Sequence, residues 1–147
     1  MQENVKLLSP LELGAWRGLL RSHAAVVREL DAQLEAEHGL SLTAYEVLLL
    51  LHDAPGRRLR MSELADSALL SLSGMTRLVD RLAAARLVER HRCDEDRRGL
   101  YAQLTPAGLA FFEQARATHL RGVREHFLSR FSEPELERLA ALWERVA

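Results

Sequence analysis

The sequence predicts a mainly α-helical fold with one small β-hairpin, in the order ααααββαα. Three observations predict it: helix-start signals recur along the chain, two short helices follow each other across a two-residue turn, and two β-type segments bracket a polar stretch. The chain has 147 residues, 48% of them apolar, which is enough for one domain with a proper core and too little for a second. We therefore expect a single domain over residues 1–147.

The first helix is predicted by its cap. Ser9 is a favourable N-cap, Pro10 suits the first helical position, and Glu12 lies three residues after the cap, which completes a capping box. Apolar residues then recur at helical spacing until Gly39, a residue suited to a left-handed C-terminal position. We expect a helix over residues 10–38.

The second helix is predicted by another capping box, from Thr43 to Glu46. The residues that follow are apolar on nearly every face up to about Asp53, and Pro55-Gly56 marks the stop. A helix that is apolar all round is buried in the core. We therefore expect a buried helix from Ala44 to about Asp53.

A pair of closely spaced helices follows. The first is predicted from about Ser62 to Ala68, and the second runs from about Leu72 to Arg86 with Ser71 as its N-cap. Two helices joined by so short a turn are typical of helix-turn-helix units.

The next two segments, Val88–Arg92 and Leu100–Leu104, have the pattern of β-strands. They bracket the polar heptad Cys93–Gly99, which predicts a hairpin with a charged tip. A helix-turn-helix followed directly by such a hairpin is a winged helix-turn-helix, here over residues 57–104.

The C-terminal part predicts two further helices. One runs from Pro106, capped by Thr105, to about Phe131, and the last one opens at Ser132 and continues to the C-terminus. The last helix is apolar over more than one face, which is more than a small protomer can bury, so we expect a second copy of the chain to cover it. Its apolar residues are Leu136, Leu139, Ala140, Leu142, Trp143 and Val146.

The charge is distributed unevenly along the chain. Residues 57–98 contain ten arginines and seven acidic residues, a local net charge of +3, so the remainder carries −4 of the total of −1. A basic centre between acidic ends is expected where the centre meets a polyanion. A solvated arginine-rich surface explains the same charges.

Helical geometry divides the predicted helix from Leu72 to Arg86 into two faces. At 100° per residue, one face is small at its N-terminal end and basic further along, and the other is apolar. Thr76 and Arg77 on the first face have the side chains that read base edges in the major groove. The first face holds Ser73, Gly74, Thr76, Arg77, Asp80 and Arg81, and the second holds Leu72, Met75, Leu78, Val79, Leu82 and Ala83.

The tip of the predicted wing carries Arg97 and Arg98. A planar guanidinium suits the narrow minor groove, where the potential of DNA is most negative. Asp96 on the same tip would repel phosphate, and we interpret it as an ion-pair partner that orients one of these arginines. The predicted DNA-binding residues are Ser71, Ser73, Gly74, Thr76, Arg77, Arg81, Arg97 and Arg98.

With these residues the chain resembles the multiple-antibiotic-resistance regulator (MarR) family of winged helix-turn-helix transcription factors. The resemblance covers residues 42–108, and its most specific part is the Asp-x-Arg wing motif spaced before Leu-Thr-x-x-Gly. Leu69 and Leu72 depart from the family pattern. The matching segments are Leu64-Ala65, Ser71–Leu82, Leu87-Val88-Glu89-Arg90, Asp96-Arg-Arg-Gly99 and Leu104-Thr-Pro-Ala-Gly108.

The resemblance implies a homodimer whose dimerisation helices lie at 10–38 and 105–147 and whose recognition helices enter successive major grooves of a pseudo-palindromic operator. It implies that Arg77 reads bases and that Arg98 enters the minor groove. It also implies a ligand-responsive repressor, with a cleft between the dimer helices and the winged domain that takes small aromatic anions. The candidate lining residues of this cleft are Trp16, Arg17, Arg21, Tyr45 and His52.

Several other functions are disfavoured. The longest apolar run has five residues, too few to span a bilayer, and the N-terminus has no secretory signal, so we expect a cytoplasmic protein. The six histidines lack metal-binding spacing and no catalytic motif is present, so we expect no metal, no cofactor and no enzyme.

Three alternatives stay open. The single cysteine, Cys93, lies among arginines and could make a redox-responsive regulator. The chain could instead be a helical dimerisation module that binds a protein partner, or a ligand-binding protein with vestigial DNA contacts. A steep loss of duplex affinity with rising salt would favour the DNA-binding regulator.

Overall fold

The structure, a computed structural model, describes residues 5–68, 70–92 and 99–146. It confirms the mainly helical fold with a β-hairpin, and it adds a short third strand ahead of the helix-turn-helix. No helix in the described part is long and apolar enough to span a membrane. The elements are α1 (Pro10–His38), α2 (Leu42–Asp53), β1 (Arg58–Arg60), α3 (Met61–Ser67), α4 (Leu72–Ala84), β2 (Val88–Arg92), β3 (Leu100–Leu104), α5 (Pro106–His126) and α6 (Glu133–Trp143), with 3-10 turns at Pro55–Arg57 and Leu128–Arg130.

The cap of α1 forms as the sequence predicts. The Ser9 hydroxyl accepts a hydrogen bond from the amide of Glu12, whose carboxylate accepts one from the amide of Ser9 in return. At the other end Gly39 is left-handed, with φ 61°, and ends the helix.

The predicted cap of α2 is wrong by two residues. Ser41 is the N-cap, and its hydroxyl accepts a hydrogen bond from the amide of Ala44 at 3.1 Å. The helix begins at Leu42 because the carboxylate of Asp31, on α1, accepts a hydrogen bond from the Leu42 amide at 2.8 Å. The local cap at Ser41, supported by an acceptor from another helix, thus takes the place of the capping box predicted at Thr43. The burial of α2 is as predicted.

The three strands form an antiparallel sheet in the order β1-β3-β2. Leu59, Ala102 and Arg90 lie opposite one another in a row across it. Because Ala102 is fully buried, this row belongs to the face of the sheet that packs inward, against the helix-turn-helix. The strand bounds of the hairpin are those predicted from the sequence.

The core of the winged domain lies between α2, α3, α4 and the sheet. The apolar face of α4 packs into it, with one exception: Leu72 was predicted on that face, and it is 56% exposed. Helix α4 also ends earlier than predicted, because Arg86 adopts a left-handed backbone with φ 61°. The buried residues of α4 are Met75, Leu78, Val79 and Leu82.

The C-terminal helices differ from the prediction in length. Helix α5 ends at His126 rather than near Phe131, since the Ser129 hydroxyl donates to the carbonyl oxygen of Glu125 and competes with the helical bond. Helix α6 begins after a Ser132 capping box, as predicted, and ends at Trp143. No residue of α6 is buried.

Candidate nucleic-acid interface

The N-terminal turn of α4 is built from small residues that cap it. The Ser71 hydroxyl accepts a hydrogen bond from the amide of Gly74 at 3.1 Å and lies 3.2 Å from the Ser73 hydroxyl. A Cβ atom at Gly74 would lie 3.1 Å from the Ser71 hydroxyl, so glycine leaves room for the cap. This exposed turn presents free backbone amides and a positive dipole end, both of which favour an anion.

The predicted contact residues share the exposed side of α4. Ser73, Arg77 and Arg81 are exposed, and neither arginine has an ion pair within the described residues. Thr76 is half-buried and its hydroxyl donates to the Leu72 carbonyl oxygen at 2.9 Å, which leaves its methyl group as the part available for contact. The structure therefore brings Ser71, Ser73, Gly74, Thr76, Arg77 and Arg81 onto one continuous surface.

Helix α4 stands as a ridge with a cleft on either side. One cleft, of about 750 Å³, separates it from the start of α2 and is lined by Ser41, Arg77 and Arg81 among others. The other, of about 300 Å³, separates it from α3 and the wing and is lined by Thr76 and Arg90 among others. An α-helix that protrudes in this way fits the major groove of B-DNA, which is about 12 Å wide.

Arg90 is a residue of this site that the sequence analysis did not single out. One terminal nitrogen of its guanidinium donates to the Thr76 carbonyl oxygen at 3.1 Å and lies 2.5 Å from Oδ1 of Asp80. Asp80, which the helical projection placed on the basic face, is therefore paired with an arginine from β2. An arginine on the inward face of a predicted strand was the available signal, since a buried cation needs partners.

Strand β1, which the sequence analysis did not predict, supplies two more arginines. The guanidinium carbons of Arg58 and Arg60 lie 5.3 Å and 5.6 Å from the centre of the Tyr101 ring, at cation–π distance. Both belong to the strand at the edge of the sheet, next to the wing. The two guanidinium groups therefore lie over the same aromatic ring of the sheet.

The predicted wing-tip residues lie outside the described part of the chain. These are Arg97 and Arg98, the orienting residue Asp96, and Cys93 of the redox alternative. The strands on either side of them, β2 and β3, are described as far as Arg92 and Leu100. The roles of all four residues stay predictions.

The five candidate ligand-binding residues are not brought together within one chain. Tyr45 is buried and stacks on His119, with ring centres 4.4 Å apart, and on Phe112 at 5.5 Å. His52 also lies against Phe112, with ring centres 4.8 Å apart. Trp16, Arg17 and Arg21 are exposed on α1, and within the described residues no hydrogen bond, ion pair or ring contact links them to this ring cluster.

The ring cluster joins α2 to α5 and contains two perturbed groups. Burial raises the pKa of Tyr45, an effect that the nearby Arg116 opposes. Burial lowers the pKa of His119, whose Nδ1 atom is buried without a hydrogen-bond partner in the described residues. Among the residues whose positions the structure gives, no three histidine, cysteine or acidic side chains form a group that could hold a metal ion.

Comparison with known proteins agrees with this architecture. The model of the MarR family matches residues 38–99. The regulator MhqR of Bacillus subtilis is 31% identical over 128 residues, which cover 87% of this chain and 86% of that protein. The chain belongs to the MarR family. The transcriptional repressor YetL of Bacillus subtilis is 32% identical over 115 residues, 76% of this chain and 69% of YetL.

Solved structures of MarR-family members extend the likeness to nearly the whole chain. The crystal structure of the transcriptional regulator AbsC from Streptomyces coelicolor has a TM-score of 0.88 and 32% identity, and covers 97% of this chain and 95% of its own. Sco3205 from the same organism, solved in complex with DNA, has a TM-score of 0.88 and 30% identity over 95% of this chain and 91% of its own. As a MarR-family member, the chain is a transcriptional regulator.

Proposed function

We propose that this regulator binds double-stranded DNA of specific sequence as a homodimer, with α4 in the major groove and the wing in the adjacent minor groove. The observation that carries the proposal is the exposed side of α4, where Arg77 and Arg81 have no ion pair in the described structure and stand between two clefts. A guanidinium that is free in this way can fork onto O6 and N7 of guanine. The DNA complex of Sco3205, a protein of the same fold, supports the same partner.

We propose that the chain is a single domain with a DNA-binding region and a dimerisation region. Residues 57–104 form the winged helix-turn-helix, and residues 10–38 and 105–147 form the dimerisation region of a single domain. The exposed apolar side chains of α6 support a second chain as their cover. Two-fold symmetry then places the recognition helices about 34 Å apart, one turn of DNA.

We also propose that the protein is a cytoplasmic repressor without enzymatic activity, cofactor or metal, and that a small aromatic anion weakens its DNA binding. A cavity of about 620 Å³ lined by His52, Arg57 and Gln103, next to the Tyr45 ring cluster, supports such a ligand because it offers a cation and polar groups beside stacked rings. The exposed Trp16, Arg17 and Arg21 belong to the proposed cleft only if a second chain covers that part of α1.

The substitution Arg77→Ala tests the proposal. Duplexes selected by the purified protein from a random pool provide the operator, and a scrambled duplex of equal composition provides the reference. Loss of a forked arginine–guanine contact is expected to weaken operator binding by about 1–3 kcal/mol and to relax the preference for the operator. Arg98→Ala is expected to weaken both duplexes more evenly, as a contact that reads groove shape would.

Lys6→Ala is the control for Arg77→Ala, because it also removes one positive charge but lies on exposed chain ahead of α1. It should bind like the wild type. An Arg77→Ala protein that folds normally and is indistinguishable from the wild type in this titration would contradict the assignment of α4 as the recognition helix.

A further inference from the structure

We propose that Arg90 is a positioning residue for DNA recognition: by holding the carboxylate of Asp80, it keeps Asp80 from pairing with Arg77 and so leaves Arg77 free for the DNA. The inference rests on the proposed DNA-binding function and goes beyond it, because Arg90 acts through another side chain rather than on a base.

The register of the sheet places the side chain of Arg90 against α4. Arg90 stands in one row with Leu59 and Ala102, and Ala102 is fully buried, so this row faces the protein interior. The side chain of Arg90 is 29% exposed and its Nε atom is buried without a partner in the described residues. Placing an arginine here costs desolvation, which the observed contacts to α4 offset.

Both contacts of Arg90 lie on the same side of α4. The guanidinium donates to the carbonyl oxygen of Thr76 and pairs with Oδ1 of Asp80, a residue four positions further along. Residues four apart are neighbours on a helix, so one guanidinium group spans one turn. These two bonds hold the carboxylate of Asp80 against Arg90, although Asp80 also lines the cleft that Arg77 and Arg81 border.

Asp80 has a competing partner on its own helix. Arg77 precedes it by three positions, a spacing at which oppositely charged side chains form ion pairs on helices. The structure pairs Asp80 with Arg90 from β2, and Arg77 has no ion pair in the described part of the chain. Without Arg90, Asp80 would be left as an unmasked carboxylate, 56% exposed, on the surface that meets DNA and within reach of the base-reading arginine.

The proposal differs from two simpler roles for Arg90. If Arg90 only stabilised the fold, removing Asp80 as well would not restore DNA binding. If Arg90 contacted a phosphate directly, its loss would lower the salt dependence of binding by about 0.9 in the log–log slope whether or not Asp80 were present. If Arg90 acts instead by holding Asp80, the DNA affinity and the salt slope of Arg90→Ala should both recover when Asp80 is removed as well.

The test compares wild type, Arg90→Ala, Asp80→Ala and the double variant on the selected and scrambled duplexes over a series of salt concentrations. Arg90→Ala is expected to weaken binding to the selected duplex about tenfold, the size of a lost arginine–guanine contact, and binding to the scrambled duplex less. Asp80→Ala should bind at least as tightly as the wild type. The double variant should return to within about threefold of the wild type, with the salt slope of Asp80→Ala.

Folding is monitored by circular dichroism and thermal melting, and Arg90→Met serves as a second variant because it keeps the apolar stem but lacks the guanidinium that holds Asp80. It should weaken binding to the selected duplex about as much as Arg90→Ala does. If Arg90→Ala does not fold, Asp80→Ala and Arg90→Met still decide: a loss of more than about threefold in Asp80→Ala overturns the proposal, as does an Arg90→Met protein that binds like the wild type.

The failures of the two proposals are distinguishable. If the wild-type protein fails to discriminate between the selected and scrambled duplexes, sequence-specific DNA binding itself fails. If the wild type discriminates but the double variant remains as weak as Arg90→Ala, or Arg90→Ala binds normally, only the role given to Arg90 is overturned. Lys6→Ala again controls for the loss of one positive charge.

Discussion

Helices α4 and α6 differ in how far their apolar side chains are buried. In α4 four apolar residues are buried, and the side that remains exposed is small and basic. In α6 no residue is buried, and Leu142 and Trp143 are 46% and 42% exposed. The winged part of the molecule therefore completes its core within one chain, whereas the terminal part does not.

This difference indicates that the exposed surfaces of α4 and α6 suit different kinds of partner. A polar and basic surface over a finished core suits a charged ligand such as DNA, while an unfinished apolar surface suits another protein surface. We therefore expect substitutions in α4 to separate into those that unfold the domain and those that only change DNA binding. Substitutions in α6 should change the oligomeric state instead.

The largest effect is expected from the buried side of α4. Met75 is fully buried, so Met75→Ala should lower the free energy of unfolding by about 2–5 kcal/mol through lost burial and a residual cavity. Leu72→Ala on the same helix is the control, and because Leu72 is exposed it should change stability by less than about 0.5 kcal/mol. Chemical denaturation measures both, and equal losses in the two variants would refute the division of α4 into two faces.

The next effect concerns the apolar surface of α6. Trp143→Glu should weaken self-association by about 2 kcal/mol or more, since a charged side chain would replace an exposed aromatic residue in the proposed interface. Arg138→Glu introduces the same side chain on α6 at a position that is already charged, and should leave the association unchanged. Sedimentation velocity distinguishes the two, and a Trp143→Glu protein that associates like the wild type would exclude α6 as the interface.

The ring cluster of Tyr45, Phe112 and His119, which joins α2 to α5, should make the stability of the protein depend on pH. Burial lowers the pKa of His119 below its usual value near 6.5, so the unfolded chain takes up this proton first as the pH falls. The stability that comes from neutral His119 is therefore complete above about pH 7 and is lost as the pH falls below about 6.5.

His119→Phe isolates this dependence, because it keeps a ring against Tyr45 and removes the titrating group. The other histidines and the carboxylates titrate in both proteins, so the quantity to compare is the difference between the two unfolding free energies from about pH 8 to pH 5. The wild type should lose stability relative to His119→Phe on acidification. A difference that stays constant with pH would show that His119 is not held neutral by burial.

The smallest expected effect is at the end of α4. Arg86 has a left-handed backbone, with φ 61°, which costs an ordinary residue more than glycine. Arg86→Gly should therefore stabilise the protein by about 0.5–1 kcal/mol. Ala85→Gly, one residue earlier at φ −80°, should instead destabilise it slightly, and the same sign for both variants would contradict the assignment.

The helix starts that depend on neighbouring residues could be predicted from the sequence. Ser9 and Ser71 cap their helices through hydrogen bonds to amides three residues away, so the signal lies within one turn. Helix α2 has a local cap of the same kind, Ser41 to the amide of Ala44, but Thr43 offers a second one two residues later, and the carboxylate of Asp31 from another helix favours the first. Strand β1 is only three residues long, Arg58–Arg60, and too short to show a period of two.

The candidate site was predictable to the same extent. Helical geometry correctly grouped Arg77 and Arg81 on one side of α4, since that depends only on the spacing along one element. It also placed Asp80 there, and it could not show that Arg90 neutralises this carboxylate, which depends on the register of β2 against β3. The periodicity of one element cannot predict an ion pair between residues of two different elements.

The central claim is that two chains together bind one duplex through paired α4 helices. Sedimentation equilibrium of the purified protein with a fluorescent duplex from the random-pool selection, at low and at raised salt, tests it most directly. We expect a complex of two chains per duplex whose affinity falls steeply with salt and is lost preferentially on the scrambled duplex. A single chain in solution, or equal binding to both duplexes at low ionic strength, would contradict the account.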